Sequence, residues 1–155
     1  MINDILWQNV VYFGKRSKIM NTKNDRRIRK SKESLKNSLI GLMKEKPVNN
    51  ITVKELVSVA DLNRSTFYNY YCDIPDMLEK LETELYNEFL YILELHITKE
   101  GINHDLYKEA HEFIEDMCNV IKENVEFCKC IFSKNGDISF LFKLEELVEN
   151  HIKDQ

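Results

Sequence analysis

Apolar residues recur along this chain at intervals of three, four and seven, and little interrupts them. That spacing gathers them on one face of an α-helix. With 4 Gly and 2 Pro in 155 residues, the chain has few places to turn. Few segments alternate as strands do, so the expected fold class is all-α. A hydrophobic share of 43% is ordinary for a chain that buries a core.

Punctuation divides the pattern. Ile28, Leu35, Leu39, Leu42 and Met43 share one face of a helix expected to end near Lys46, ahead of Pro47. Gly41 inside it weakens the helix and suggests close packing. Thr52 and Glu55 form an S/T-x-x-E capping box for a second, short helix with Val53, Leu56, Val57 and Ala60 inward. Asp61, Leu62 and Asn63 break that pattern, and Asp tolerates left-handed backbone. A third short helix is expected from about Arg64 to Tyr70, with Asn63 as its cap. Asp73 before Pro75 starts a fourth, carrying Leu78, Leu81, Leu85, Phe89 and Ile92 to about Ile97. Leu106 to Ile121 reads as a fifth. A short piece covers Glu126 to Phe132, a turn follows around Asn135 and Gly136, and a last helix carries Leu141, Leu144, Val148 and Ile152.

Charge is split along the chain. The net charge is −4. Residues 1–75 hold 14 Lys and Arg against 7 Asp and Glu, and residues 76–155 hold 8 against 19. A basic contact module joined to an acidic body is the natural reading. Residues 21–30 read as a basic arm running into a helix. Cys72, Cys118, Cys128 and Cys130 suggest no disulfide framework, and a reducing cytoplasm suits them. Cys128 and Cys130 form a C-x-C, which lacks zinc spacing, so no metal and no cofactor are expected. His96, His104, His111 and His151 are scattered. Ile5 to Phe13 is too short an apolar patch to span a bilayer, so no membrane role is expected. Basic residues follow that patch rather than precede it, and Met20 stands before a polar segment. Residues 1–22 are therefore expected to be an extension or arm, with translation starting at Met20 or Met1.

Two short helices joined by a tight turn, behind a longer basic helix, make a helix-turn-helix. Thr-Val at 52–53, Ala-x-x-x-x-Ser-Thr-Phe-Tyr-x-Tyr-Tyr at 60–71 and Asp-x-x-Asp-x-Leu at 73–78 resemble the DNA-binding domain of the tetracycline-repressor (TetR) family. The likeness spans Arg26 to Leu81, about a third of the chain. It implies a three-helix reading head at 23–73 followed by a helical, TetR-like ligand and dimerisation domain at 74–155. That second domain looks truncated beside the family's usual length, and dimerisation is in doubt with it.

The resemblance also implies roles. Arg64 and Thr66 match positions that reach base edges, and Lys54 matches one on bases or nearby phosphates. Tyr68 and Tyr70 match phosphate contacts, and Thr52 lies where a helix start meets the backbone. Asn63, Ser65 and Asn69 complete a donor-rich, acid-free set. The chemistry agrees: Arg grips guanine bidentately, and Thr meets a thymine methyl. Phe67 is expected to anchor the third helix in the core, Leu62 to seal the turn, and Tyr71 to be a packing aromatic. Two departures stand out. Asp61 occupies a place where the family often has Gly, and Ile74 one where it often has Lys.

The expected function is a DNA-binding transcriptional regulator, a repressor working on double-stranded DNA as a homodimer with a small-molecule effector. Phe89, Phe113, Met117, Phe127 and Phe132 are candidate linings of an effector pocket, although plain core packing is the commoner role of aromatics at helical spacing. A helical partner-binding protein with weak or no DNA contact is the alternative. An enzyme is not expected, because no nucleophile and base, metal set or phosphate loop is apparent, and Glu115, Asp116, Glu145 and Glu146 read as solvated helix faces.

Overall fold

The computed structural model describes residues 23–97, 106–135 and 139–153. The expectations on residues 1–22, including Met20, and on His104 lie outside them. The order is α1 (Lys23–Glu45), a 3-10 turn (Val48–Asn50), α2 (Val53–Val59), α3 (Arg64–Tyr68), α4 (Ile74–Ile97), α5 (Leu106–Glu123), α6 (Val125–Ile131) and α7 (Ser139–Lys153). The described residues are all-helical, with no strand among them.

The basic arm expected at 21–30 is helical from Lys23 onward, as the first two turns of α1. Arg and Lys are good helix formers, no breaker lies among them, and Asp25 sits in the first turn, where it complements the helix dipole. Leu35, Leu39, Leu42 and Met43 are buried, and Ile28 is half-buried. Pro47 stops α1 as expected and then opens the 3-10 turn, in which Asn50 N–H donates to the Pro47 carbonyl at 2.9 Å. Gly41 is exposed, and a methyl placed on it would meet no described atom within 4 Å beyond its own helix backbone. It therefore leaves room rather than allowing a close approach.

One core joins both parts of the chain. Leu39, Leu56, Phe67, Met77, Leu85, Phe127 and Phe140 belong to a single buried cluster. α2 packs on α1, α5 and α7 pack on α4, and α6 returns to α1. Polar ties reinforce that return. Lys36 Nζ donates to Asn124 Oδ1 at 3.1 Å, while Asn124 Nδ2 donates to Glu88 Oε2 at 2.9 Å. Asn135 Nδ2 donates to the Met43 carbonyl at 3.3 Å, and Lys44 pairs with Glu126. Lys129 and Lys44 together hold the Glu126 carboxyl down to about 2.

Asp116, expected on a solvated face, keeps 40% of its side chain exposed and also meets His96 Nε2 at 2.9 Å across α4 and α5, with the Phe113 ring edge-on to the imidazole. The four cysteines are free, as the composition suggested. Cys128 and Cys130 are buried, and desolvation pushes both thiols up, which leaves them poor nucleophiles. No described helix is long and apolar enough to cross a membrane.

Gly41→Ala is expected to raise stability by ~1 kcal/mol, the helix-propensity gain at an exposed interior position. Urea denaturation measures it, and a loss of stability would show that the site is packed.

Candidate nucleic-acid interface

The second helix of the pair cannot stand alone, since five residues cannot repay the nucleation of a helix. What comes before it, and one side chain within it, fix its place. At its start α2 is capped by Thr52 Oγ1, which accepts from Glu55 N–H at 3.2 Å. Glu55 in turn takes the Lys46 ammonium at 2.7 and 2.6 Å, and that cation, with help from the Thr52 amide, lowers its pKa. At its end α2 closes in a Schellman motif. Leu62 N–H reaches the Val57 carbonyl at 2.9 Å, and Asp61 N–H reaches Ser58 at 3.4 Å. Asp61 has φ 53, so the residue standing where the related family often has Gly does adopt the left-handed backbone that Gly favours. Ser34 Oγ donates to the Ala60 carbonyl at 2.9 Å and ties this turn to α1.

α3 then emerges with Asn63 at the N-cap position. The cap expected of its side chain is not made; Asn63 serves through its carbonyl, which accepts from Thr66 N–H at 3.0 Å. α3 ends at Tyr68, two residues short of the expected Tyr70, because Tyr70 and Tyr71 turn back through bonds to the Phe67 carbonyl. Phe67 is fully buried, Leu62 packs on the core, and Tyr71 is buried at 6% exposure, as the sequence suggested. Burial drives the Tyr71 phenol up to about 12.

With Phe67 inward, Asn63, Arg64, Ser65, Tyr68 and Asn69 are exposed, and Thr66 and Tyr70 are half-buried. Thr52 and Lys54 are exposed on α2. Asn63, Thr66, Asn69 and Tyr70 are brought together along a polar cleft of about 710 Å³, whose opposite wall is Asn24, Arg27, Ile28 and Ser31 of α1. Arg64, Ser65, Tyr68, Lys54 and Thr52 lie outside that cleft's lining. Asn24 and Ser31 were missed by the sequence reading, though positions 24, 27, 28 and 31 share a helical face once the arm is known to be helix. The Lys32 ammonium lies 5.6 Å from the Tyr70 ring centroid.

Behind the site, Asp73 Oδ1 accepts from Asp76 N–H and Asp76 Oδ2 accepts from Cys72 N–H, both at 2.8 Å. Lys80 bridges Asp76 Oδ2 at 2.9 Å to the Tyr70 carbonyl at 3.1 Å, which ties the segment after α3 to α4. The Lys80 hydrogen bond, with the Cys72 amide behind it, lowers the Asp76 pKa. Ile74, at the place where Lys is frequent, is buried and fills the core.

The candidate effector residues differ in burial. Phe89 and Phe127 are buried core, Phe113 and Met117 are half-buried against it, and Phe132 is 47% exposed. Among the described residues, no group of three or more His, Cys, Asp or Glu could hold a metal ion.

Residues 108–155 match a family model of TetR proteins, described as a transcriptional regulator C-terminal region. The chain is also 33% identical over 73 residues to the uncharacterized HTH-type transcriptional regulator YxbF of Bacillus subtilis (strain 168). That match covers 42% of this chain and 19% of the relative's length.

The left-handed Asp61 yields a paired expectation. Asp61 already bears the cost of that backbone for an L-residue, so Asp61→Gly should gain up to ~1 kcal/mol, whereas Asp61→Ala should gain nothing. Equal denaturation midpoints for the two variants would refute this account of the turn.

Proposed function

We propose that this chain, a member of the TetR family of transcriptional regulators, binds duplex DNA sequence-specifically with α3 in the major groove and acts as a repressor. The observation that carries the reading is the five-residue α3, pinned by the buried Phe67 with Arg64, Ser65, Tyr68 and Asn69 turned to solvent. A major groove admits a helix of that girth. In this reading Arg64 and Thr66 meet base edges and Lys54 meets a base or a phosphate. Tyr68, Tyr70, Asn63, Asn69, Ser65 and Thr52 hold the backbone and the register.

The reading head is residues 23–73, and residues 74–155 form the regulatory body. The protein works without catalysis in the cytoplasm, as a homodimer on a two-fold operator, with a small molecule controlling affinity. A second reading is favoured by one feature. Tyr107 and Ile114 on α5 and Phe142 on α7 are 82%, 59% and 62% exposed, which gives apolar area to another protein chain. In that version the chain is a helical partner-binding protein with weak DNA contact.

Selection of bound sequences from random duplex DNA tests both readings. A recovered motif with two half-sites one helical turn or more apart supports the dimeric regulator. Arg64→Ala should then cost roughly 1–3 kcal/mol on the best site and relax the preference at one position. Lys54→Ala should weaken binding too. No enrichment at ~50 mM salt, where phosphate contacts are strong, would sink the DNA reading in favour of the partner-binding one.

A further inference from the structure

α5 is apolar over more of its circumference than its neighbours cover. Phe113, Met117 and Val120 pack on the core. Beside them, Tyr107, Ile114 and Ile121 are 82%, 59% and 44% exposed, and Cys118 is exposed too. A surface helix carries one apolar stripe toward its own core, so a second stripe calls for a second neighbour.

This second stripe has the spacing of a seam between helices. Tyr107, His111, Ile114, Cys118 and Ile121 follow at alternating steps of four and three, and Val125 at the start of α6 adds a further step of four. All of these residues are exposed. Steps of four and three keep a row of side chains in line where two helices wrap each other. α5 supplies 18 residues of that row, about five turns.

The borders of the seam indicate what fits it. One border carries Lys108, Glu115 and Lys122, each the residue after a seam position, exposed and alternating in sign. The other border carries Ala110 and Met117, which have no charge. In a parallel pair of identical helices unlike borders meet, and the charges would lie against uncharged side chains. In an antiparallel pair like borders meet. With a two-fold axis beside Cys118, Glu115 faces the partner's Lys122, and Lys122 faces the partner's Glu115. A contact that suits one side is then made twice, because the same patch serves both copies. The same offset sets Ile121 against the partner's Cys118 and Ile114 against the partner's Val125. Lys108 keeps its pair with Glu112 within the helix.

We propose that α5 pairs antiparallel with α5 of a second copy of this chain, about an axis beside Cys118. This deepens the dimeric part of the proposed function, on which it rests, by giving that dimer a face. None of the seam residues is among those assigned to DNA, so the pairing leaves those side chains to the operator.

Sedimentation equilibrium of the full chain without DNA tests the pairing. A monomer–dimer equilibrium is expected. Ile114→Asp, a change at an exposed position, should abolish the dimer while circular dichroism shows the helices kept. Glu115→Lys should weaken it about tenfold at ~50 mM salt, since two attractive pairs become two repulsive ones. Adding Lys122→Glu to Glu115→Lys should restore it, which a residue that merely supports its own helix would not do. In a chain carrying Cys72→Ser, a short bismaleimide should join two copies through Cys118, a readout that alters nothing in the seam. A chain that stays monomeric, which would leave the stripe to a different protein, overturns the proposal. So does a dimer indifferent to Ile114→Asp, a paired charge exchange that restores nothing, or a dimer that Cys118 does not cross-link. The operator reading is judged by its own selection, so the two can fail separately.

Discussion

The burial of one phenyl ring determines what the rest of this surface can be. Phe67 sits at zero exposure among residues from α1, α2 and α4. α3 has five residues and little helical stability of its own, so it holds its place only because that ring is held. Truncating such a ring typically costs 3–5 kcal/mol, a large share of a small domain's stability. Every side chain offered to a partner from α3 takes its direction from this anchor by helical phase. Tyr68 stacks edge-on to the Phe67 ring at 5.4 Å between centroids, so even the exposed tyrosine is referenced to it.

Around that anchor the polar work is local. Thr52 and Ser34 each satisfy a helix-end group of α2, and the Asp73 and Asp76 pair does the same at the start of α4. Lys80 joins the segment after α3 to α4 through a carbonyl and a carboxylate. These bonds add modest net stability one by one, but each prevents an unsatisfied backbone group at a short helix end. The short helices are therefore held at their ends by satisfied backbone groups, while their orientation comes from the apolar core.

Most of the helical frame was readable because its signals are local. The Thr52 and Glu55 spacing, the turn at Asp61 and the start at Asp73 each lie within a few residues, and the structure places α2, α3 and α4 close to those marks. What stayed hidden depends on docking. Asp116 reads as solvated, and its contact with His96 shows only once α4 is placed beside α5. Glu82 passed unnoticed beside Leu78, Leu81 and Leu85, because a charge at helical spacing reads as surface unless the facing helix is known. The basic arm reads as running into a helix, and its charge density hides that the helix already begins at Lys23, in a stretch free of helix breakers. Pro47 reads as a stop, and nothing local says that it also begins a 3-10 turn. The roles assigned to Arg64, Thr66 and their neighbours came from family likeness together with chemistry, and solvent access is what the structure adds to them.

Asn124 holds a cation of α1 on its oxygen and a carboxylate of α4 on its nitrogen. An amide presents a different pole at each end, so it fits in one orientation alone; flipped, it would set like poles together. Hydrogen bonds weaken steeply once misaligned, so a slide of α4 past α1 by a single residue's rise, about 1.5 Å, would strain one of the two bonds or share the strain between them. The joint thus sets the register of α1 and α4 against the residue between α5 and α6, and the Asn135 and Lys44 ties hold the same register from α6 and the turn beyond it.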